Sequence, residues 1–128
     1  MKRQNIEVVL GFLDAVRTRD MEAAAGFLDP EIVWQGVVPD LVCRSADEVL
    51  GIFLERRDEP IEIERLELIG TERGAMFAFH RPEVWEVGGV EIRGAMYHAV
   101  AVDEGRITRI ADYAERAEAL AAAGLKDD

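Results

Sequence analysis

Residues Val87–Tyr113 read VGGVEIRGAMYHAVAVDEGRITRIADY, and two glycine-containing turns inside this stretch set which side chains share a face. Gly88-Gly89 between apolar-rich runs reads as a two-residue hairpin turn, which sets Val87 opposite Val90. Counting back from that turn predicts Trp85 opposite Ile92, Glu83 opposite Gly94, Arg81 opposite Met96, Phe79 opposite His98 and Phe77 opposite Val100. A strand has a side-chain period of two, so all of these lie on one face. The other face carries Met76, Ala78, His80, Val84, Glu91, Arg93, Tyr97 and Ala99. The first face is the larger and more apolar, hence the expected interior. Arg81, Glu83 and His98 are set into it, although ionised groups in an apolar site are costly unless paired. A polar cluster in an apolar hollow is the feature that any function must use or explain away.

The second turn leaves two answers open. If Asp103-Glu104-Gly105 is a three-residue turn, Met96 faces Asp112, and Thr108, Ile110 and Asp112 point inward. If only Glu104-Gly105 turns, Ile107, Ala111 and Tyr113 point inward instead.

Composition narrows the class. At 128 residues the chain is expected to be one domain, 1–128, large enough to bury a core. With 49% apolar and 32% charged residues it reads as globular. The formal charge of −11, with no basic stripe, argues against nucleic acid as a partner. No apolar run approaches the roughly 20 residues that span a bilayer, so no membrane is expected. Cys43 has no second cysteine to pair with and no secretion signal is evident, so a reducing, cytoplasmic setting is the expectation. His80 and His98 lie on opposite faces without metal-ligand spacing, so no metal is expected. No phosphate loop, serine elbow or redox cysteine pair is present, so no cofactor and no covalent mechanism are expected.

Along the chain, Ile6, Val9, Leu10, Leu13 and Val16 recur at helical spacing, predicting a helix over about 5–18. Asp20 offers a cap for a second helix, Met21 to Leu28, ended by Asp29-Pro30. Glu31 to Val38 is a strand candidate. Ser45 and Glu48 have capping-box spacing before Val49, Leu50, Phe53 and Leu54, predicting a third helix over 46–57. Strands follow over Ile61–Ile69, Ala75–Val87, Val90–Val102 and Arg106–Tyr113, with a bulge or twist near Arg65. The alanine-rich stretch Glu115–Ala123, with Gly124 as a stop, reads as a helix or a frayed end. Helices, one strand, a helix and then a meander make an α+β pattern.

In this order the chain resembles the nuclear transport factor 2-like superfamily, which includes ketosteroid isomerase, limonene epoxide hydrolase and the SnoaL-like polyketide cyclases. The resemblance lies in Phe12-Leu13-Asp14-Ala15-Val16 through Asp20-Met21-Glu22-Ala23, in Phe27-Leu28-Asp29-Pro30-Glu31-Ile32-Val33-Trp34, and in Asp103-Glu104-Gly105-Arg106-Ile107 leading to Asp112-Tyr113. It implies a cone-shaped, curved, antiparallel or mixed sheet that encloses a pocket, closed by three helices from the N-terminal half, the cystatin-like arrangement. It also implies a homodimer across the outer sheet face, and it favours the inward placement of Asp112. The isomerase pattern fails at two positions: its oxyanion-binding tyrosine falls on Phe12 and its general-base aspartate near Gln35, while its donor acid falls on His98. The epoxide-hydrolase pattern matches better, since its arginine and carboxylates look like Arg81, Glu83 and Asp112. Its water-positioning tyrosine and asparagine fall on Trp34 and Gly36.

The expectation is therefore a SnoaL-like small-molecule enzyme, an acid–base isomerase, cyclase or hydrolase without cofactor. Its partner would be a small apolar carbonyl, lactone or epoxide. His98 and Asp112 would do the proton transfer, with Arg81 and Glu83 orienting. Trp34, Phe12, Phe77, Phe79, Met96 and Ile110 would line the pocket. The competing expectation is a non-catalytic ligand-binding or dimerisation domain in which the same charges form a structural network.

Overall fold

Helix α1 (Lys2–Arg17) buries Asn5, Val9, Phe12 and Ala15, four residues at the three- and four-residue spacing of a single stripe. It ends where Arg19 takes a left-handed backbone, φ 62°. Asp20 then caps α2 (Met21–Gly26), its carboxylate accepting from the Ala23 N–H at 3.1 Å. The structure is a computed structural model that describes residues 2–55 and 65–124, apart from the side chains of Glu55 and Glu83.

Helix α2 stops at Gly26 rather than Leu28, because Leu28 already belongs to strand β1 (Leu28–Gln35). Asp29-Pro30 was expected to separate helix from strand, yet it lies inside β1. The proline is tolerated there because the pairing of β1 with β6 (Arg106–Tyr113) is irregular between Leu28 and Val33. The expected strand end at Val38 is also too late. The chain turns at Gly36, whose N–H donates to Leu41 O at 2.6 Å, and returns as the short strand β2 (Val42–Cys43), which the sequence did not announce. Gln35 spans this turn, its side-chain amide donating to Val38 O at 3.0 Å and Leu41 O at 3.3 Å.

Ser45 opens α3 (Ala46–Glu55), its hydroxyl accepting from the Glu48 N–H at 3.1 Å. The expected continuation to residue 57, and the start of the next strand at 61–64 with its predicted phase change, lie outside the described residues. Strands β3 (Arg65–Gly70), β4 (Gly74–Val87) and β5 (Val90–Asp103) form the meander, and α4 (Arg116–Ala122) follows β6. The helical alternative for the alanine-rich tail is thus the one realised. The described strands run β2-β1-β6-β5-β4-β3, with β1 parallel to β6 and the remaining pairs antiparallel.

Gly88 and Gly89 have φ of 57° and 84°, the left-handed pair that a tight hairpin of this kind requires, and Val87↔Val90 and Trp85↔Ile92 pair as expected. Beyond Val84 the expected register fails. Val84 pairs with Arg93 but His80 with Ala95, so Arg81, Pro82 and Glu83 stand against Gly94 alone. This bulge of two extra residues moves every later partner: Phe79 faces Met96, Phe77 faces His98 and Ala75 faces Val100. A charged–proline–charged run is poor material for a ladder, since the proline supplies no N–H and the flanking charges resist burial.

At the second turn the structure combines the two alternatives. Glu104 and Gly105 have φ of 51° and 78° and turn alone, with Asp103 paired to Arg106 and Val102 to Ile107. A shift then appears between Ala101 and Val102 that leaves Thr108 as the extra residue, after which Val100 pairs with Ile110 and His98 with Asp112. The expected Met96–Asp112 pairing is replaced by His98–Asp112. Without the bulge, alternation from Ile107 would turn Arg109 inward and Ile110 outward. With it, Ile107 and Ile110 are both fully buried.

The inner core joins the three N-terminal helices to one face of the sheet through Val9, Phe12, Ala24, Leu28, Ile32, Val49, Ala75, Phe77 and Val100, among others. A second, smaller cluster lies on the opposite face. There α4 sets Ala119, Leu120 and Ala123 on Met76 and Ala99.

Candidate active site

The site forms where β1, β6, β5 and β4 lie side by side: Asp112, His98 and Phe77 share one row across β6, β5 and β4, and Trp34 of β1, which pairs with Ile110 in the parallel β1–β6 ladder, stands in the next row. Each strand brings one residue to the site. The Thr108 bulge puts Asp112 in phase with the rest.

Asp112 is the hub. His98 Nδ1 lies 2.6 Å from Asp112 Oδ1, and the Trp34 indole N–H donates to the same oxygen at 2.8 Å. The two side chains of the His98–Asp112 pair are 10% and 9% exposed, so the contact is shielded from water and is stronger than a surface pair would be. Aromatic rings hold the imidazole. Phe77 stacks on it at 4.5 Å between centroids and 26° between planes, and Trp34 meets it edge-on at 5.9 Å. From Trp34 the aromatic wall continues to Phe53 at 5.8 Å and on to Phe12 at 6.0 Å, while Phe79 meets Phe77 edge-on at 5.8 Å. Trp34, Phe53 and Phe79 are half-buried, whereas Phe12 and Phe77 are buried.

The remaining candidates fall at different distances from this centre. Ile110 is fully buried beneath it, and Met96, half-buried, pairs with Phe79 one step along β5. Arg81 stands in the β4 bulge with its guanidinium carbon 3.8 Å from the centre of the Trp85 ring, a cation–π contact. Glu83 has its backbone in the same bulge, and its side chain is outside the described set. Among the described residues, the hydrogen bonds to Asp112 come from His98 and Trp34.

Cys43 is buried on β2 opposite Trp34. Burial pushes its thiol up from the ordinary value, and the negative charges of Glu48 and Asp112 push the same way. Such a thiol is a poor nucleophile.

Sequence reading missed the polar groups on the other face. Glu67 of β3 accepts from Arg116 of α4 through Nε at 3.1 Å and Nη2 at 2.9 Å, and its other oxygen lies 3.2 Å from His80 Nε2. The Arg116 hydrogen bonds hold the Glu67 carboxyl below its ordinary value, against burial, which raises it, with His80 adding a smaller lowering effect. Period-two alternation already placed His80 on that face. Its partners depended on α4, whose docking no local pattern encodes.

Two surface grooves are present among the described residues. One of about 280 Å³ lies by Tyr97, Arg93 and Arg116, and one of about 420 Å³ lies by Asn5, Val8 and Phe27. Neither is lined by the His98–Asp112 pair. No group of three histidine, cysteine or acidic side chains among the described residues could hold a metal ion. No described helix is long and apolar enough to cross a membrane.

No protein-family model matches the sequence, and no curated protein matches it. Solved structures do match in shape. A nuclear transport factor 2-like protein from Burkholderia xenovorans LB400 is 16% identical with a TM-score of 0.68, covering 88% of this chain and 90% of that one. An LEH-like epoxide hydrolase from M. tuberculosis is 22% identical with a TM-score of 0.59, covering 88% and 83%. A candidate polyketide cyclase from Sinorhizobium meliloti is 16% identical with a TM-score of 0.62, covering 84% and 94%. At such identities the likeness is one of fold, and the chain has the nuclear transport factor 2-like fold.

Proposed function

We propose that the chain is a cofactor-independent acid–base enzyme that binds a small apolar carbonyl, lactone or epoxide and isomerises, cyclises or hydrolyses it. The observation that supports this reading is the 2.6 Å His98–Asp112 contact, held among aromatic rings. A carboxylate on Nδ1 orients the ring and stabilises the imidazolium that forms when the other nitrogen takes a proton. Nε2 has no hydrogen-bond partner among the described residues, so it is the nitrogen that would exchange a proton with substrate. Arg81 and Glu83, in the β4 bulge, would orient a substrate oxygen. Trp34, Phe79 and Met96, half-buried, would line the approach with Phe12, Phe77 and Ile110 beneath.

A second reading, a non-catalytic ligand-binding or dimerisation domain, is favoured by one observation: Phe77 and Trp34 cover His98, leaving it 8% exposed. A panel of lactones, epoxides and cyclic ketones separates the two. The enzyme reading expects turnover of at least one panel compound, a loss of 100-fold or more in His98→Gln, a typical general-base contribution, and an unchanged far-ultraviolet spectrum. Absence of turnover by the wild type, with unfolding of His98→Gln, would establish the histidine as structural.

A further inference from the structure

Two donors converge on one oxygen of Asp112, and they are not equivalent. His98 Nδ1 at 2.6 Å could in principle donate or accept, depending on its tautomer, whereas the Trp34 indole nitrogen at 2.8 Å can only donate. Oδ1 is therefore an acceptor toward Trp34. A carboxylic hydroxyl oxygen accepts poorly, so the indole disfavours a proton on that atom. With Oδ1 accepting, Nδ1 is the donor in the 2.6 Å contact, and in the neutral imidazole Nε2 then keeps its lone pair. We propose that Trp34 is the positioning residue of the acid–base pair, its indole N–H holding Asp112 Oδ1 as an acceptor aimed at His98. This rests on the reading of His98 and Asp112 as proton-transfer groups.

The surroundings agree with such a role. Trp34 reaches Asp112 from β1, the strand next to β6, and its ring is held edge-on to His98 and tilted against Phe53. Phe77 stacks on the imidazole. With the histidine ring clamped, the rotation of the carboxylate is the freedom left in the pair, and the indole N–H removes it. The titratable groups facing Asp112 among the described residues are His98 from β5 and, at longer range, the Cys43 thiol from β2, with Glu48 of α3 beyond it. Among the described residues, the indole is the hydrogen-bond partner that Oδ1 has besides His98.

The test needs no substrate. In full-length protein carrying ¹³C-labelled aspartate carboxyls, the Asp112 signal reports its own protonation. Trp34→Phe keeps an aromatic ring and deletes the donor, so the affinity of Asp112 for a proton should rise about tenfold, the usual worth of a hydrogen bond to a charged group. An unchanged titration in folded Trp34→Phe overturns the proposal, because a tryptophan that only fills space would leave it unmoved. If Trp34→Phe does not fold, the benzothiophene isostere of tryptophan at position 34 keeps the shape and lacks the N–H, and the same two outcomes apply. Once a panel compound is turned over, Trp34→Phe should lose about tenfold or more in kcat with KM little changed. A loss confined to KM would make Trp34 a pocket wall and overturn the positioning role. If no compound is turned over, the enzyme reading fails while the carboxyl titration still decides the hydrogen-bond role of Trp34.

Discussion

Asp112 concentrates more consequence than any other residue in the chain. It joins β1 to β5 through a single oxygen, and truncating it strands two donors at once, the indole N–H of Trp34 and Nδ1 of His98. An unsatisfied buried donor costs about 1–3 kcal/mol, and breaking a buried pair from one side costs about 3–5 kcal/mol. Asp112→Ala is accordingly expected to lower unfolding free energy by about 3 kcal/mol in urea titration. Asp112→Asn keeps an acceptor oxygen where both donors meet but loses the charge, and should cost less, about 1–2 kcal/mol. An Asp112→Ala variant as stable as the parent would mean that the pair adds nothing to the fold. Its upkeep would then have to be explained by function alone.

Among the elements, α4 combines an apolar attachment with a polar one. Besides the small cluster around Leu120, it is fixed by the two hydrogen bonds from Arg116 to Glu67, which also ties β3 to β4 through His80. The sign of the pH effect follows from Glu67, whose folded carboxyl is held below its ordinary value of 4.5, chiefly by the Arg116 hydrogen bonds. A lowered folded value means that the stabilisation is fully present above pH 4.5 and is lost as pH falls through the folded value. The Arg116 contribution to the stability difference between wild type and Glu67→Gln should therefore persist from pH 8 down to about 5. It should shrink below 4.5. Because Arg116 is 44% exposed the plateau should be modest, about 1 kcal/mol. Thermal melts of the two proteins at five or six pH values test this, and a difference that grows as pH falls below 4.5 would refute the assignment of Glu67 as the charged partner.

At the scale of the whole molecule, the difference between what the sequence discloses and what it withholds follows the range of the interactions. The Gly88-Gly89 turn was legible because backbone conformation at two glycines is a local matter, and so were the cap at Asp20, the Ser45 start of α3 and the inward phase of Phe77, Phe79 and His98. The register beyond Val84 was legible only in part: Pro82 supplies no N–H to a ladder and so marks a place for a bulge, but the extent of the bulge at Arg81-Pro82-Glu83 is settled by which residues the sheet can bury. The separate bulge at Thr108 did leave a signal: Ile107 and Ile110 are three apart inside a strand, and period-two alternation cannot bury both unless one residue bulges. Of the site, the histidine and its acid could be named beforehand. The Trp34 contribution could not, because a tryptophan announces its ring and conceals its N–H. The outer cluster shows the same limit, for alanine-rich α4 has no strong pattern and is defined by what it covers. Met76 is fully buried and Ala99 nearly so, on the sheet face away from the three N-terminal helices. Without α4, that face would present Met76, Ile69, Tyr97, Tyr113 and Ala99 together to water, an apolar surface of the kind that drives association. A chain ending at Ala114 is therefore expected to lose about 2–4 kcal/mol, a loss comparable to emptying one large core position, and to self-associate in light scattering at micromolar concentration. Leu120→Ala, which leaves the helix in place, should reproduce part of the destabilisation without the association. If the shortened chain melts at the parent temperature and stays dispersed, the sheet needs no cover on that side, and the second core would be a consequence of where the chain happens to run.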